Sequence, residues 1–395
     1  MKILNPKNLK KFILTFLNVF KIFLISYFKS YKNKSSRFIF IYFPVKVYQE
    51  NIVDLANLLS KDQNISVYII YNSLTSDELK FKKNSFFIDF GYLKFIPFVN
   101  FFLSKINLLI SSYVIYIFLP NTKNIYISHD IYDTPMVNKS IERKLFISLS
   151  KFDYIFVSSN IVKIYFKNYF RKYLKSKKLF EKAKVVNTGY LKLDHVTKIL
   201  EKTKKNINKF SILIAPTASK HYKNYNLSSN LDAMINFLIK KKYLIIYRPH
   251  PLDFTEKGNY NLVRKIINKY QKFENFKLDK KSSYLNSYIN SDVLITDFSG
   301  TAYTYAFSKN SPVIFYSINK NKELNNNFTK LYYFKDRNKI GYIVDNFLDL
   351  DKKLTTIKKN THYFSDRIKK FKKKRIQYVG FSFNKTKESV LQLLK

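Results

Sequence analysis

Short, nearly continuous apolar runs alternate with amphipathic stretches along most of this chain. In the first half the apolar runs lie at residues 37–43, 65–71, 124–128, 153–159 and 184–189, and helix-like segments separate them. Buried parallel strands have this pattern because helices cover both faces of their sheet. The first half therefore predicts an α/β fold built on a parallel sheet.

A second series of the same kind begins after a polar, lysine-rich stretch at residues 198–209. Its apolar runs lie at residues 210–217, 242–251, 291–301 and 311–316. Two doubly wound halves joined near residue 200 explain both series, and ligands of such folds bind at the carboxyl ends of the strands. The sequence thus predicts two Rossmann-like domains, each with a ligand-binding edge.

The predicted organisation has a leader (1–35), two Rossmann-like domains (36–200 and 201–345) and a basic tail (346–395). The tail is rich in Lys and Arg, with Asp366 as the one acidic residue between residues 352 and 375. We expect it to be helical, either simply solvated or facing a membrane.

The leader contains the apolar segment FILTFLNVFKIFLISYF, residues 12–28, and no Asp or Glu precedes Glu50. A spanning helix needs about 20 apolar residues, and this segment is short and interrupted by Asn18 and Lys21. At helical spacing the polar residues fall within one arc: Lys11, Thr15, Asn18, Lys21, Ser26 and Lys29. This pattern predicts a helix lying in a membrane interface. The alternatives are a helix packed on the first domain and, disfavoured by Lys21, a signal peptide.

A second apolar region, residues 95–120, is interrupted by Asn100, Lys105 and Asn107. We expect a buried helix beside a strand there, with shallow membrane insertion as the alternative.

Composition narrows the function classes. The 395 residues include 71 Lys plus Arg against 27 Asp plus Glu, which gives a net charge of +44, and 46% of the residues are hydrophobic. A disordered polycation is excluded by that apolar content, and the absence of cysteine excludes disulfides and thiolate sites. Only eight of the basic residues are Arg, so specific nucleic-acid recognition is disfavoured, whereas attraction to an anionic membrane surface is expected unless the charge only reflects codon usage.

The segment SDVLITDFSGTAYTYAFSKNSPVIFY, residues 291–316, carries the most chemical information. A strand ends at Asp297, and Ser299, Gly300 and Thr301 open a helix. Free backbone N–H groups and small side chains at a helix start suit phosphate oxygens, which two hydroxyls would also contact. The alternative is ordinary helix capping by Asp297 or Ser299.

Two further strand ends in this half carry candidate ligand-binding residues. In YRPHP, two prolines fix the backbone around His250, and Arg248 is placed to bind phosphate bidentately. Thr217 ends the apolar run at residues 210–217 and offers a hydroxyl to a phosphate or an acceptor. We expect these side chains to line the ligand-binding edge of the second domain.

His129 follows an apolar strand in the first half and precedes Asp130 and Asp133. A histidine at such a position can act as general base, although a surface histidine near acidic residues is an equal alternative. Two acids and one histidine are too few for a metal, so no metal site is predicted. His195, His221 and His362 have no comparable setting. Dinucleotide, P-loop and nucleophile-elbow motifs do not occur, so no cofactor is expected.

Taken in order, His129, GYLKLD (189–194), APT (215–217), RPHP (248–251) and the 294–316 block resemble the CDP-glycerol glycerophosphotransferase family, which makes teichoic-acid-like polymers. The resemblance covers about residues 36–320. It implies a GT-B fold with an acceptor-binding first domain, a donor-nucleotide-binding second domain and peripheral attachment to the cytoplasmic membrane face.

Carried onto matching positions, the family implies that His129 is the base toward an acceptor hydroxyl and that His250 and residues 297–301 handle the donor diphosphate. The family commonly has His-Gly at the first site, whereas Asp130 follows His129 here. The implied partners are a CDP-activated donor and a lipid-linked or polymer acceptor. A GT-B glycosyltransferase using a nucleotide sugar, and a non-catalytic basic protein binding membrane or nucleic acid, are the alternatives.

Overall fold

Two parallel sheets organise the chain. A computed structural model describes residues 5–43, 50–72, 84–114, 119, 121–132, 139–174, 183–220, 225–254, 259–281, 283–318 and 331–395. Within those ranges thirteen strands form a seven-stranded and a six-stranded sheet, and every paired strand is parallel to its neighbour. The predicted α/β class with two doubly wound sheets is confirmed.

The first sheet has the order β3-β2-β1-β4-β5-β6-β7. Its strands are β1 (Arg37–Phe43), β2 (Ile65–Tyr71), β3 (Ser85–Phe87), β4 (Ile106–Ser111), β5 (Lys123–Ile127), β6 (Tyr154–Val157) and β7 (Lys184–Asn187). β-Branched and aromatic side chains on both faces of β1 and β2 are buried, as expected for central parallel strands. The order reverses between β1 and β4, which is the switch point of this sheet.

The second sheet has the order β10-β9-β8-β11-β12-β13, with its switch point between β8 and β11. Its strands are β8 (Ser211–Ile214), β9 (Leu244–Tyr247), β10 (Phe276–Leu278), β11 (Val293–Thr296), β12 (Val313–Tyr316) and β13 (Gly341–Val344). Both sheets therefore start with the same 3-2-1-4-5-6 order of a doubly wound fold.

Helices connect the strands and cover the sheets. They are α1 (Pro6–Lys32), α2 (Glu50–Leu59), α3 (Phe90–Leu93), α4 (Val99–Phe102), α5 (Lys139–Leu149), α6 (Asn160–Tyr173), α7 (Leu191–Lys202), α8 (Leu231–Lys240), α9 (Tyr260–Tyr270), α10 (Leu285–Asn290), α11 (Thr301–Lys309), α12 (Tyr332–Lys335), α13 (Arg337–Ile340), α14 (Phe347–Lys359), α15 (Thr361–Arg375) and α16 (Ser382–Leu394).

The chain divides into two compact units. Unit 1 contains residues 1–129, 138–191 and 377–395, and unit 2 contains residues 130–137 and 192–376. The predicted leader is thus part of unit 1, and the predicted tail contributes to both units. Its last helix, α16, belongs to unit 1, where Val390 joins the core formed by β1, β2 and β4.

Most strands lie where the apolar runs predict them, but three short ones do not. β3, β10 and β13 have three or four residues each, too few for a periodic pattern to indicate them. The region at 95–120 contains the strand predicted there, β4, but the helix beside it is the four-residue α4, none of whose side chains is buried.

Helix α1 begins and ends at recognisable signals. The side chain of Asn5 accepts a hydrogen bond from the Lys7 N–H, and Pro6 takes the first helical position. Lys29 and Lys32 lie in the last turn, where positive charge favours the helix dipole. These signals explain why the helix extends beyond the apolar segment at 12–28.

Polar side chains attach α1 to unit 1. Asn18 donates to the Phe87 carbonyl oxygen at 2.9 Å, and the Ser26 hydroxyl lies 3.1 Å from the Tyr68 hydroxyl. Helix α1 is therefore packed on unit 1, as the alternative prediction for the leader expected. Much of the predicted polar arc faces the protein. The buried side chains of α1 are Thr15, Val19, Ile22 and Ser26.

The opposite face of α1 is apolar and exposed. It carries Leu9, Ile13, Phe16, Leu17, Phe20, Leu24, Tyr27, Phe28 and Tyr31, whose exposed fractions range from 37% to 82%. In the described part of the chain, α1 is the one helix whose length and composition would allow it to cross a membrane. This "outer face of α1" is unusual because helices of water-soluble domains normally turn their apolar stripe inward.

We expect Ile22→Ala and Ile13→Ala to differ sharply in stability, because Ile22 is fully buried and Ile13 is 46% exposed. Removing buried methylenes should lower the free energy of unfolding by about 2–5 kcal/mol for Ile22→Ala. For Ile13→Ala the change should stay within about 0.5 kcal/mol. Urea denaturation of both variants measures this, and equal losses would contradict the packing of α1.

Candidate functional site

At the switch point of the second sheet, the carboxylate of Asp297 links neighbouring chain segments through hydrogen bonds. Asp297 follows β11, and its side chain accepts a hydrogen bond from the Thr217 N–H, beyond β8, at 2.9 Å. It also accepts one from the Leu227 N–H at 2.7 Å. Asp297 is 1% exposed, so this carboxylate joins three segments from inside the protein. Both of its oxygens are used by the backbone.

The setting of Asp297 changes its acidity and bears on its predicted role. Burial raises the pKa of Asp297 to about 6, although the Leu227 and Thr217 N–H groups favour the charged form. An anionic carboxylate occupied in this way repels a phosphate more than it binds one. The prediction that Asp297 contacts the donor stays a prediction, and its observed contacts hold the surrounding loop in place.

The turn after Asp297 rests on aromatic residues that the sequence pattern does not single out. The Tyr333 hydroxyl is placed to donate to two backbone carbonyl oxygens. It lies 2.9 Å from the carbonyl oxygen of Ser299 and 3.2 Å from the carbonyl oxygen of Asp297. The guanidinium of Arg337 lies 4.8 Å from the Phe298 ring centroid and is 2% exposed. Arginine is scarce in this chain, so the arginine at position 337 was the sequence feature that could have indicated a role for this residue.

Helix α11 starts at Thr301 with a glycine before it. Gly300 is the capping residue, and the Ser299 hydroxyl accepts a hydrogen bond from the Thr301 N–H at 3.4 Å, as the capping alternative for Ser299 expects. The Thr301 hydroxyl is 3.0 Å from the Tyr288 hydroxyl. A Cβ at position 300 would lie 2.1 Å from a carboxylate oxygen of Asp130, so a larger residue here would have to displace the Asp130 side chain. The start of α11 is thus narrow and lined by polar groups.

Arg248, which follows β9, has an internal carboxylate partner. Its Nη1 donates to Asp279 at 2.7 Å and to the Ser283 carbonyl oxygen at 3.3 Å. The side chain of Arg248 is 12% exposed and that of Asp279 is 7% exposed, so this ion pair is well shielded from water. A bidentate phosphate contact through Nη1 would have to compete with Asp279.

The turn at 248–251 fixes the tautomer of His250. The Leu252 N–H donates to Nδ1 of His250 at 3.1 Å, so Nδ1 acts as an acceptor and a neutral imidazole carries its proton on Nε2. Asp253 ties this turn to the segment after β8, because it accepts from the Ser219 hydroxyl at 2.7 Å. His250 is therefore oriented as an N–H donor at the carboxyl end of β9.

His129 lies in unit 1, after β5. Its Nδ1 is 3.0 Å from the Tyr126 hydroxyl, and the Tyr113 ring stacks on it with centroids 6.0 Å apart. The Tyr190 hydroxyl donates to the His129 carbonyl oxygen at 2.8 Å. When Nδ1–H donates to Tyr126, Nε2 carries the lone pair that a general base needs. Tyr126 and Tyr113 therefore both contact this imidazole.

Six predicted donor-site residues and His250 belong to unit 2, at the carboxyl ends of β8, β9 and β11: Thr217, Arg248, His250, Asp297, Ser299, Gly300 and Thr301. His195 and His362 lie on helices α7 and α15. His221 and Asp133 lie outside the described residues. Among the side chains that the structure describes, no group of three or more His, Cys, Asp or Glu converges to hold a metal ion.

Comparison with known families identifies one match. The sequence model of the CDP-glycerol:poly(glycerophosphate) glycerophosphotransferase family matches residues 121–389, more than half of the chain. The minor teichoic acid biosynthesis protein GgaB of Bacillus subtilis (strain 168) is 29% identical over 155 residues, which are 38% of this chain. That alignment spans only 15% of GgaB.

Solved structures share the fold. The wall teichoic acid polymerase TagF superposes with a TM-score of 0.60 and 17% identity, covering 96% of this chain and 97% of TagF. The UDP-GlcNAc 2-epimerase of Neisseria meningitidis superposes with a TM-score of 0.57 and 15% identity, covering 90% of this chain and 99% of that enzyme. At such identities the likeness concerns the fold, which is of the GT-B type.

The pKa of Asp297 predicts a pH-dependent stability. The folded protein binds this proton more tightly than the unfolded chain, whose value is near 3.8, so the contribution of Asp297 falls as pH rises from about 4 to about 6. Relative to Asp297→Asn, the free energy of unfolding should decline by about 3 kcal/mol over that interval. Denaturation of both proteins across this pH range measures the difference, and a constant difference would contradict the raised pKa.

Proposed function

Because the chain belongs to the CDP-glycerol:poly(glycerophosphate) glycerophosphotransferase family, we propose that it is a transferase of cell-surface polymer synthesis. It moves a glycerol-phosphate, or a similar polyol-phosphate, from a CDP-activated donor to a hydroxyl group of a membrane-linked acceptor. The observation that carries this proposal is the family match over residues 121–389, which includes every residue of the candidate site.

The relatives support the chemical class of donor and product. GgaB is named as a minor teichoic acid biosynthesis protein, and TagF as a wall teichoic acid polymerase, one of whose structures was obtained with CDPG. The switch point of the second sheet is where doubly wound folds bind nucleotides, and His250 and the start of α11 both lie there. A cytidine nucleotide in unit 2 agrees with both lines of support.

The proposed reaction is a direct displacement at phosphorus. Nε2 of His129 takes the proton of the acceptor hydroxyl, whose oxygen forms a bond to the β-phosphorus of the donor. The bond from that phosphorus to the bridging oxygen breaks, and its electron pair leaves with CMP. His250 donates Nε2–H to a phosphate oxygen, and the N–H groups at the start of α11 stabilise the developing charge. No residue of the chain becomes covalently modified.

We expect purified protein to release CMP from CDP-glycerol or CDP-ribitol when a hydroxyl acceptor is supplied. His129→Ala should lower kcat by about 10²–10⁴-fold, because it removes the base. His250→Ala should mainly weaken CMP binding, because it removes a donor to phosphate. His362→Ala, at an exposed position of α15, is the matched control.

Two results would overturn the proposal. Release of UDP from nucleotide sugars, with no CMP from the cytidine donors, would favour the GT-B glycosyltransferase alternative. Full activity in cells of the double variant His129→Ala/His250→Ala would favour a non-catalytic basic protein.

The finer location we propose is the cytoplasmic face of the membrane, with peripheral attachment through unit 1. The outer face of α1 is the supporting observation, and exposed aromatic side chains continue it: Phe95 (47%), Phe98 (79%) and Phe101 (59%). Phe23 connects the two parts, since its ring centroid lies 5.2 Å from that of Phe101. An exposed apolar surface of this extent, in a segment without acidic residues before Glu50, suits an anionic lipid interface.

We expect Leu17→Glu/Phe28→Glu to abolish flotation with vesicles of mixed neutral and anionic phospholipid. The matched control is Ile164→Glu, because Ile164 is an equally exposed apolar residue of unit 1, on α6, away from the outer face of α1. High salt should weaken but not abolish binding of the unmodified protein, since salt screens only the charges. If the unmodified protein does not float, or if the double variant only converts a dimer to a monomer, the membrane proposal fails.

A further inference from the structure

Lys192 is a cation beside the candidate site. It lies in the GYLKLD motif, but the reaction above gives it no role. It is the second residue of α7, and its ammonium lies 5.2 Å from the ring centroid of Tyr284. Burial lowers the pKa of Lys192, and the negative charge of Asp130 acts in the opposite direction. Lys192 is only partly buried, so an anionic ligand could replace the hydration that its ammonium has lost with direct contacts.

Asp130 brings a carboxylate to the start of α11. A Cβ built on Gly300 would meet Oδ2 of Asp130 at 2.1 Å and Cγ at 2.4 Å, so the carboxylate lies directly against the glycine. Asp130 and Gly300 both belong to unit 2. An anion at a helix start, next to a cation, occupies the kind of position that a phosphate group takes.

Arg248 belongs to the same cluster. It donates to the carbonyl oxygen of Ser283, the residue before Tyr284, and Tyr284 packs on Tyr288 with centroids 4.8 Å apart. The Tyr288 hydroxyl lies 3.0 Å from that of Thr301. Burial raises the pKa of Tyr288, and the charges of Arg248 and Asp130 act on it with opposite signs. Lys192, Asp130 and the Arg248–Asp279 ion pair therefore lie around these two tyrosines, next to the first residue of α11.

We propose that Lys192 binds a phosphate group of the donor and that Asp130 is the internal anion which the donor displaces from the start of α11. This inference rests on the proposed function, because it names a further ligand residue and a specificity-determining residue of the same site. In the free protein Asp130 compensates the positive charge and excludes weakly bound anions. A diphosphate carries more charge and more acceptor oxygens than one carboxylate, so it outcompetes Asp130 where a single small anion does not.

The experiment compares two lysines of unit 2 by isothermal titration of the full-length protein. Lys192→Gln should weaken CDP binding by about tenfold or more, because a charge-assisted contact to phosphate is lost. Lys309→Gln is the matched control, since Lys309 lies at the far end of α11 and burial lowers its pKa too, to about 8. The control should change CDP affinity less than about twofold. Cytidine, which has no phosphate, should bind both variants equally well.

Asp130→Asn tests the second half of the proposal. Removing the competing charge should strengthen CDP binding about threefold or more, with cytidine affinity unchanged. Thermal unfolding of each variant shows whether it is folded. Equal CDP affinity of Lys192→Gln and Lys309→Gln, or weaker CDP binding by Asp130→Asn, overturns the inference while leaving the transferase proposal intact. Failure of the unmodified protein to bind CDP, CMP or cytidine would overturn both.

Discussion

The hydrogen bonds that the backbone of Thr217 and Leu227 gives to Asp297 are the contacts on which the candidate site depends. Strands β8 and β11 are neighbours, and the chain leaves them in different directions, so the space between them would open without a link. The carboxylate supplies that link from inside, where it is 1% exposed. Tyr333 holds the other side of the same turn through two backbone carbonyl groups. The start of α11 is therefore positioned before any ligand arrives, which lowers the conformational cost of binding.

Helix α1 reverses the usual arrangement of an amphipathic helix. The hydrogen bonds of Asn18 and Ser26 add to the packing of the buried Val19 and Ile22, and together they attach this helix to its domain. The remaining apolar residues form an outer surface. An outward apolar surface is favourable only when something other than water covers it. Apolar area exposed to water costs a free energy of roughly 25 cal/mol per Å². The leader is thus an integral part of unit 1 with an outward apolar face, rather than a separate arm.

Apolar periodicity was sufficient to predict the α/β class, ten of the strands and the long N-terminal helix, because buried parallel strands and a 27-residue helix leave strong patterns. Apolar periodicity could not identify which face of α1 contacts the rest of the protein. The same arc of polar residues is expected when that face lies in water and when it forms hydrogen bonds to a neighbouring element. The site was predicted as residue types at strand ends. Tyr333 and Arg337 were missed, because a residue that supports a loop from 30 or more positions away has no local signature.

The distribution of basic residues bears on what the net charge of +44 can do. Three of the eight arginines lie in internal contacts: Arg248 pairs with Asp279 at 2.7 Å, Arg375 pairs with Asp336 at 2.8 Å, and Arg337 is enclosed by aromatic rings. A side chain engaged in this way is not available to read bases in a nucleic acid. Most of the surface charge is therefore carried by lysines, which provide a long-range, screened attraction without geometric selectivity. Such a field would attract anionic lipid and anionic donor alike, so in the proposed function the selectivity between them comes from the apolar surface of unit 1 and the proposed phosphate contacts of unit 2.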